Sequence, residues 1–509
     1  MLRLSLFCVL FFIVSEKREN VNMQELVLSM EDISLELGNK ELFQFKQLSV
    51  YQGERIGIIG KNGEGKSSLL KLIMGELESG VGRIQKEVDF SYFAQLPEEL
   101  CDNNIEVNAE LLSQFDVPDA NFDLMSGGEQ AKYRLAKIFS SYKEGLILDE
   151  PTTHLDQKSK EFLIEELRYY YGTLIFVSHD RYFLNNLATK IWEISEGIVK
   201  EYKGNYDDYR NQKEQEELEN QNAQEKYNLE KKKLETSIKK QKEQAQKISK
   251  VSKSRANKNT KPDRLAGSKS KDTVQKNMFK QVKNLENRLE KLTPRQVFLN
   301  DKEISFPKHH FNEIHNPYPI MATGLSISYG DKIILDNCDF QFKKSQKIAI
   351  VGDNGVGKTS FLKKIYQGED SIMVSSKVIF SVYEQLSYQL NSDKSILEYL
   401  LSQTDYSESV SRSVLNKLGF TQDELKKPLS LLSGGEKTRL SLSLVMTKPS
   451  NVLILDEPTN FIDLKTIEAL EGLIKSYQGT VIFTSHDSYF VENVATEIYE
   501  LKNHKLILR

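Results

Sequence analysis

The feature that most constrains this chain is an eight-residue glycine-rich motif that occurs twice. It reads GKNGEGKS at Gly60–Ser67 and GDNGVGKT at Gly352–Thr359. Each copy follows a short apolar run, which predicts a buried strand that leads into the motif. Such a loop presents backbone N–H groups at a helix start to phosphates, and it adds a Lys for the β- and γ-phosphates and a hydroxyl for Mg²⁺. Two copies in the same context predict two nucleotide-binding domains.

The two halves of the chain repeat each other with regular offsets. Equivalent residues lie 292 positions apart at the glycine-rich motif, and 307 apart from Ser126 and Ser433 onward. Strand-like runs alternate with helical patterns within each half, which indicates the α/β class with a largely parallel sheet. We therefore predict an N-terminal apolar extension at 1–22, one domain at 23–203, a linker at 204–318 and a second domain at 319–509.

The composition favours a reducing, cytoplasmic environment. Cys8, Cys101 and Cys338 are too far apart in sequence for a disulfide framework or a zinc ribbon. The apolar run Leu4–Val14 is too short to cross a bilayer comfortably. We interpret residues 1–22 as a misassigned start, and a signal peptide or a peripheral anchor is the alternative. Export would also separate the nucleotide motifs from ATP.

Two further motifs follow in each half, in the same order. MSGGEQ at Met125–Gln130 matches LSGGEK at Leu432–Lys437, and LILDEP occurs at Leu146–Pro151 and Leu453–Pro458. An isolated SGGE is usually a helix cap, and an isolated DEP is usually a strand end before a turn. The duplication and the common order favour function instead. With these motifs the chain resembles the ABC-type ATPases, whose signature and Walker B segments they match.

The resemblance implies a role for each repeated residue, and the strand-end carboxylates suit water activation and Mg²⁺ binding. The implied catalytic residues are Glu150, Glu457, His179, His486, Gln95 and Gln385. The implied Mg²⁺ ligands are Ser67, Thr359, Gln95, Gln385, Asp149 and Asp456. The implied ATP-binding residues are Gly60, Asn62, Gly63, Gly65, Lys66, Ser67, Ser68, Gly352, Asn354, Gly355, Gly357, Lys358, Thr359, Ser360, Ser126, Gly127, Gly128, Ser433, Gly434, Gly435 and Tyr329.

In that family the SGGE turn of one domain caps the γ-phosphate held by the other. Lys66 would thus share one ATP with Ser433, and Lys358 would share the other with Ser126. The chain departs from the family at two places. Tyr329 fits the position that stacks on adenine, but Leu37 occupies it in the first half. The usual PTNHLD run is PTTHLD in the first half and PTNFID in the second. We predict two competent but unequal sites.

The linker carries two narrow apolar seams that predict an antiparallel α-helical hairpin. The first seam is Tyr227, Leu234, Ile238, Ala245 and Ile248, and the second is Met278, Val282, Leu285, Leu289 and Leu292. Residues 231–295 contain 21 Lys and Arg against 6 Asp and Glu, a net charge of +15 in a chain of net charge −4. This segregation is typical of a polyanion-binding arm, and a solvated flexible linker is the alternative.

The tip of the hairpin, 249–276, contains no aromatic residue, which favours phosphate and shape recognition of folded RNA over base stacking. The candidate RNA-binding residues are Lys250, Lys253, Arg255, Lys258, Lys261, Arg264, Lys269 and Lys271.

Two fused ABC-type ATPases with a long charged helical linker and no transmembrane part resemble the ABC-F translation factors. The linker, HNPYPI at His315–Ile320 and RLAGSKS at Arg264–Ser270 are most similar to Msr- and Vga-type antibiotic-resistance members. The resemblance implies a monomer whose ATPase domains pair within one chain, and no transmembrane partner. It also implies binding at the tRNA exit site of the bacterial 70S ribosome, near 23S rRNA and P-site tRNA.

There the protein would displace macrolide, lincosamide, streptogramin or pleuromutilin antibiotics. A housekeeping ABC-F factor that acts on stalled ribosomes and a fused ATPase subunit of a transporter are the alternatives. A DNA-repair ABC ATPase is disfavoured because the zinc cysteines expected of that type are missing.

Overall fold

The computed structural model describes residues 25–38, 40–94, 107–118, 121–153, 155, 157–256, 266–292, 314–329, 332–353, 355–368, 371–384, 392–460 and 462–509. Gln95, Gln385, Asn354 and the extension 1–22 lie outside these ranges. So do the side chain of Tyr329 and those of the candidate RNA-binding residues. The chain divides into two compact units, one up to Tyr209 and from Lys302 onward, and one from Arg210 to Asp301.

The first domain is built on a nine-stranded sheet with strands in the order β4-β1-β2-β9-β8-β3-β7-β6-β5. The strands are β1 (Leu26–Leu37), β2 (Lys40–Tyr51), β3 (Arg55–Gly60), β4 (Val81–Lys86), β5 (Phe90–Phe93), β6 (Gly145–Asp149), β7 (Thr173–Val177), β8 (Lys190–Ser195) and β9 (Ile198–Lys203). The central strands β5, β6, β7, β3 and β8 pair in parallel.

The predicted, largely parallel sheet is confirmed, because β2 and β9 also pair in parallel, and the remaining strand pairs are antiparallel. Strand β1 pairs antiparallel with β2 and β4, and β8 pairs antiparallel with β9. Only two residues connect β8 to β9, and both Glu196 and Gly197 have positive φ, at 54° and 76°. A two-residue turn of this kind reverses the chain, so the strands that it joins must be antiparallel.

Helices cover the parallel part of the first domain. They are α1 (Lys66–Met74), α2 (Ala109–Gln114), α3 (Gly127–Phe139), α4 (Gln157–Tyr169) and α5 (Arg181–Leu187). Helix α1 buries Leu69, Leu70 and Ile73 against the sheet, and all three side chains belong to the hydrophobic core that surrounds β3. This apolar face at helical spacing fixes the direction of the glycine-rich loop that precedes it.

The linker unit contains two helices, α6 (Tyr206–Ala256) and α7 (Ala266–Glu290). Leu234, Ile238 and Val282 of the predicted seams are buried, at 7%, 8% and 4% exposure. Glu230 pairs with Arg288 at 2.9 Å, and Lys242 pairs with Glu286 at 2.7 Å. The predicted helical hairpin is therefore confirmed. Within the described ranges, neither these helices nor any other reaches the length and apolarity that a membrane crossing requires.

The second domain repeats the architecture with its strands in two sheets, in the orders β11-β10-β13 and β14-β15-β16-β12-β17-β18. The strands are β10 (Ile320–Tyr329), β11 (Lys332–Phe342), β12 (Lys347–Val351), β13 (Ile372–Val374), β14 (Phe380–Tyr383), β15 (Val452–Asp456), β16 (Thr480–Thr484), β17 (Glu497–Lys502) and β18 (Lys505–Leu508). The helices are α8 (Lys358–Gln367), α9 (Ile396–Leu401), α10 (Glu408–Lys417), α11 (Gly434–Thr447), α12 (Leu464–Ser476) and α13 (Ser488–Val494).

Candidate nucleotide sites between the two domains

Each glycine-rich loop turns into its helix through a glycine in the left-handed region. Gly65 precedes α1 with φ 99°, and Gly357 precedes α8 with φ 109°. A Cβ at Gly357 would lie 2.3 Å from Ile334 Cγ2, and one at Gly65 would lie 3.0 Å from the Phe43 ring. The loop therefore needs glycine here both for its backbone angle and for close approach to the neighbouring strand.

The two loop lysines fold back over their own loops. Lys66 Nζ donates to Gly60 O at 2.9 Å, and Lys358 Nζ donates to Gly352 O at 2.8 Å. Burial lowers the pKa of both lysines from its ordinary value, although nearby carboxylates oppose this shift. Each ammonium is thus held by neutral carbonyl oxygens in a poorly solvated place, where phosphate oxygens would compensate its charge better.

A glutamate at the end of the central strand faces each loop with a strained backbone. Glu150 follows β6 with φ 51°, and Glu457 follows β15 with φ 48°. The switch histidine lies beside each carboxylate: His179 Nε2 is 3.4 Å from Glu150 Oε1, and His486 Nε2 is 3.2 Å from Glu457 Oε1. Left-handed non-glycine residues are costly and concentrate at functional sites, so their presence in both copies supports a catalytic role.

The protonation behaviour of these groups suits base catalysis. Burial raises the pKa of Glu150 and that of Glu457 to about 7 in each case. Burial, reinforced by the charge of Lys66, lowers the pKa of His179 to about 3, so its imidazole is neutral at neutral pH. A carboxylate whose pKa lies near the working pH can accept a proton from water and return it.

The first site also has groups that could hold Mg²⁺. The Ser67 hydroxyl donates to Asp149, and burial raises the pKa of this carboxyl. Asp149 Oδ1 is buried and has no hydrogen-bond partner among the described residues. In the second site, Asp456 Oδ1 instead accepts from Thr484 Oγ1 at 2.7 Å.

The described ranges contain no group of three or more His, Cys, Asp or Glu able to hold a metal by itself. Such sparse protein ligation fits Mg²⁺ that takes its other ligands from phosphates and water.

Both sets of residues open onto one cavity of about 1260 Å³ between the domains. The predicted residues that line it are Asn62, Gly63, Gly65, Lys66, Ser67, Ser68, Ser126, Gly128, Asp149, Glu150, His179, Gly355, Gly357, Lys358, Thr359, Ser360, Gly435, Glu457 and His486. Gly60 and Gly352 lie beneath as acceptors for the lysines. Gly127, Ser433, Gly434 and Asp456 are not among the cavity-lining residues.

The domains contact each other at the first loop. Asn62 N donates to Asp463 Oδ2 at 3.2 Å, across 401 residues of sequence.

Ser126 and Ser433 each cap a helix, α3 and α11, through a reciprocal capping box with a glutamate three residues further along the chain. The structure thus shows SGGE as a helix cap in both domains, and phosphate binding by the same turn stays a prediction.

Comparisons with known proteins place these features in a family. Profiles described as ABC transporter match residues 44–153 and 335–460, and another with this description matches residues 192–277. The chain is 43% identical over 485 residues to the Erythromycin resistance ATP-binding protein MsrA of Staphylococcus epidermidis, which covers 95% of this chain and 99% of that protein. This chain belongs to the ABC-F family.

A second relative supports the family assignment. The Ribosome protection protein VmlR of Bacillus subtilis (strain 168) is 34% identical over 508 residues, covering 95% of this chain and 88% of that protein. The solved structure of an RNase-L Inhibitor matches with a TM-score of 0.61 at 17% identity, over 94% of this chain and 90% of that chain. The latter likeness shows the fold alone. The ABC-F chain is an ATPase with two ATP-binding domains.

Sequence reasoning assigned no role to several residues of this ABC-F site. Asp463 caps α12 and accepts a hydrogen bond from Asn62 N of the opposite loop, whereas in the sequence it is only the last residue of PTNFID. Lys160 lines the cavity and pairs with Asp180 at 2.7 Å, and Ile467 stands at its repeat-related position. A comparison of the two halves would have revealed this charge difference, because the offset of 307 aligns the two positions.

Proposed function

We propose that this ABC-F ATPase is a cytoplasmic ribosome protection protein that frees the ribosome from antibiotics. The observation that carries the proposal is the combination of two ATP sites on one interdomain cavity with a strongly basic helical linker. The names of the similar proteins, which give erythromycin resistance for MsrA and ribosome protection for VmlR, support it.

ATP would draw the two domains together, because each site takes residues from both. Lys66 and Lys358 exchange backbone carbonyls for phosphate oxygens, and Glu150 and Glu457 accept a proton from the attacking water. The start of α11 contributes Gly435 to the first site, and the start of α3 contributes Gly128 to the second. Mg²⁺ bound by Ser67 and Asp149, and by Thr359 in the second site, would neutralise the developing charge on the phosphates.

The expected partner is the bacterial 70S ribosome, with the hairpin tip near 23S rRNA and P-site tRNA in the region of the exit site. The region 231–295 has 21 basic and 6 acidic residues, so it is attracted to the phosphate backbone of RNA. The antibiotic classes that the protein would displace are macrolides, lincosamides, streptogramins or pleuromutilins. We propose the tip 249–276 as the segment that determines this range.

The test uses the full chain with Glu150→Gln and Glu457→Gln, which keeps the shape of both side chains but removes the base. We expect it to bind ATP, to hydrolyse it at least about 100-fold more slowly, and to cosediment with 70S ribosomes in ATP. Glu165→Gln on the exposed face of α4 is the matched control, and it should behave as the unmodified chain.

A second arm measures translation in a bacterial extract with one representative of each antibiotic class. Recovery of translation by the unmodified chain, but not by the Glu150→Gln/Glu457→Gln chain, supports the proposal. Cosedimentation without recovery from any drug would indicate a housekeeping factor that acts on stalled ribosomes. A soluble fraction that retains all of the Glu→Gln chain would contradict ribosome binding.

A further inference from the structure

Helix α12 of the second domain contacts the first domain along its length. At its start, Asp463 accepts from Thr466 N at 2.9 Å through Oδ1 and from Asn62 N at 3.2 Å through Oδ2. The next residue, Leu464, is 6% exposed and belongs to the hydrophobic core of the first domain. Lys465 Nζ lies 3.1 Å from Glu193 Oε1. The beginning of α12 is therefore fixed to the first glycine-rich loop and to β8.

Two turns further along α12, Glu471 meets a buried arginine of the first domain. Arg181 Nη1 donates to Glu471 Oε1 at 2.6 Å, and the Arg181 side chain is fully buried. Arg181 is the first residue of α5, two positions after the switch histidine His179. The pair thus joins the segment that carries His179 directly to the second domain.

These contacts form a closed circuit around the first ATP site. His179 Nε2 lies 3.2 Å from Asn62 Oδ1, and Asn62 N donates to Asp463. Asp463 caps α12, α12 carries Glu471, and Glu471 returns to Arg181 beside His179. Because α12 is a rigid element, its two ends fix the glycine-rich loop and the histidine segment relative to each other.

The Arg181–Glu471 pair has no counterpart at the repeat-related positions of the second site. The offset of 307 places Ser488 at the position related to Arg181 and Ile164 at the position related to Glu471. Lys158, which is related to Lys465, pairs with Asp116 of its own domain at 2.7 Å. The buried pair is therefore a property of the first site and not a general feature of the duplicated domain.

The Arg181–Glu471 pair suits a role in fixing the relative position of the two domains more than a role in stabilising the fold. Among the described residues, Arg181 Nε and Nη2 have no hydrogen-bond partner. A buried ion pair with unfilled hydrogen bonds contributes little net free energy of folding, because its groups have lost their hydration. Removal of one partner, however, leaves the other charge buried without a counter-charge. Such a contact allows the two domains to separate. When the domains close, it is satisfied in only one relative orientation of them.

We propose that Arg181 is a positioning residue for the first ATP site, acting on His179 through its pair with Glu471. This inference rests on the two interdomain ATP sites proposed above. Its consequence is that the first site holds its ATP in a closed geometry that the second site must form without such a contact. Loss of the pair should affect one nucleotide and not the other.

The experiment counts ATP on the Glu150→Gln/Glu457→Gln chain. Radiolabelled ATP is bound, excess is removed by gel filtration, and retention and release are followed. Two ATP should be retained by the parent chain. Arg181→Ala should accelerate the release of one ATP by at least about tenfold and leave the other unchanged. Photolabelling with 8-azido-ATP and peptide mapping should show that the label is lost from the first domain.

Three further variants separate positioning from simple destabilisation. Glu471→Gln keeps the volume of the side chain and should reproduce the selective release, whereas Arg181→Lys keeps the charge and should restore part of the retention. Ser488→Ala, at the repeat-related position, should release both nucleotides at the parental rates. The midpoint of thermal unfolding without ATP is measured for each chain to confirm that it is folded.

The outcomes distinguish the two proposals. The positioning role would be overturned if Arg181→Ala accelerated ATP release equally at both sites, or if Arg181→Ala and Glu471→Gln both released ATP at the parental rates. Either result would leave the assignment of the ATP sites intact. A parent chain that retains no ATP would overturn the assignment of the sites, and this inference with it.

Discussion

At the scale of single residues, the two sites share the groups that we propose as catalytic but differ in the residues around them. Glu150 and Glu457 have similar positive φ angles, each lies beside an equivalent histidine, and burial raises the pKa of each to about 7. Besides the PTTHLD and PTNFID runs, the sites differ at positions outside the motifs. Arg181 corresponds to Ser488, and Lys160 corresponds to Ile467. We therefore expect unequal behaviour of the sites to come from the surrounding residues and not from the catalytic groups that they share.

The raised pKa of the two glutamates predicts how ATP hydrolysis depends on pH. Since burial raises each pKa to about 7, a rise in pH through this value converts the acid to the carboxylate that acts as base. We expect kcat/KM for ATP to increase up to about pH 7 and then to level off. Phosphate release, measured from about pH 5.5 to 8.5, checks this.

The control for this profile is the chain with Glu150→Gln and Glu457→Gln, whose residual rate should lose the acidic limb. A profile of the unmodified chain that stays flat through pH 7 would contradict the assignment of these glutamates as bases.

Adenine binding should also differ between the sites. Leu37 ends β1, is 47% exposed and lines the cavity, whereas Tyr329 ends β10 at the repeat-related position. We expect Leu37→Tyr to tighten ATP binding at the first site by about tenfold, since stacking of a base on an aromatic ring contributes about 1–3 kcal/mol. Fluorescent ATP titrated into a Lys358→Ala chain measures this site separately.

Leu26→Tyr adds an equally accessible ring at the other end of β1, where Leu26 is 38% exposed. It should leave the affinity unchanged, and an equal gain in both variants would argue against stacking at Leu37.

At the scale of elements, much of the site depends on strand–loop–helix units that sequence can identify. The run of apolar residues at 56–59 and the lysine and hydroxyl residues after the loop predict β3 and α1 in order, and both form. Ser126 follows Gln95 by 31 residues, whereas Ser433 follows Gln385 by 48, and the additional 17 residues of the second half fall in a region that contains α9 and α10, where the first half has the short α2. Apolar residues recur every 2 residues in a strand and every 3.6 in a helix. This spacing is local, so the sequence shows it without knowledge of the tertiary structure.

Two glycines in the second domain should respond to alanine in opposite ways. Gly357→Ala places a Cβ 2.3 Å from Ile334 Cγ2 at φ 109°, so we expect a loss of about 1–3 kcal/mol in the free energy of unfolding. Gly472→Ala lies within α12 and meets nothing within 4 Å, so it should add about 0.5–1 kcal/mol.

Thermal and denaturant unfolding of the two variants, made in the same chain, measure this difference. A chain with Gly357→Ala as stable as the unmodified one would show that the loop can relax away from Ile334.

At the scale of the whole molecule, charge is divided between the basic linker and the rest of the chain. Residues 231–295 carry +15 and the remainder carries −19, since the total is −4. An acidic remainder is not attracted to RNA, so the linker is the part of the chain suited to contact a polyanion. The two helices and their buried seam provide the support that an ordered basic segment needs.

Removal of tip charge should weaken ribosome binding and reduce its dependence on salt. Replacing Lys250, Lys253, Lys258 and Lys261 with Gln should lower the slope of log affinity against log salt by about 3 if each contacts a phosphate. Cosedimentation of the Glu150→Gln/Glu457→Gln chain with 70S ribosomes over a series of KCl concentrations measures this slope.

The matched control makes four Lys→Gln changes at exposed positions of the second domain, Lys343, Lys344, Lys475 and Lys502. It changes the net charge equally but should keep the slope of the parent chain. Equal slopes in the tip and control variants would show that the tip does not contact the ribosome through these lysines.

The sequence by itself determined the α/β class of the two domains and the helical hairpin between them, and it indicated the lysines, glutamates and histidines that we propose for the ATP sites. These features depend on short spacings and on an internal repeat, and both are visible along the chain. Only the tertiary structure decided that Asp463 reaches Asn62 and that Arg181 pairs with Glu471, which lies 290 residues away. Such pairs have no periodicity that marks them, because they arise where two separately folded surfaces meet and bury their charges.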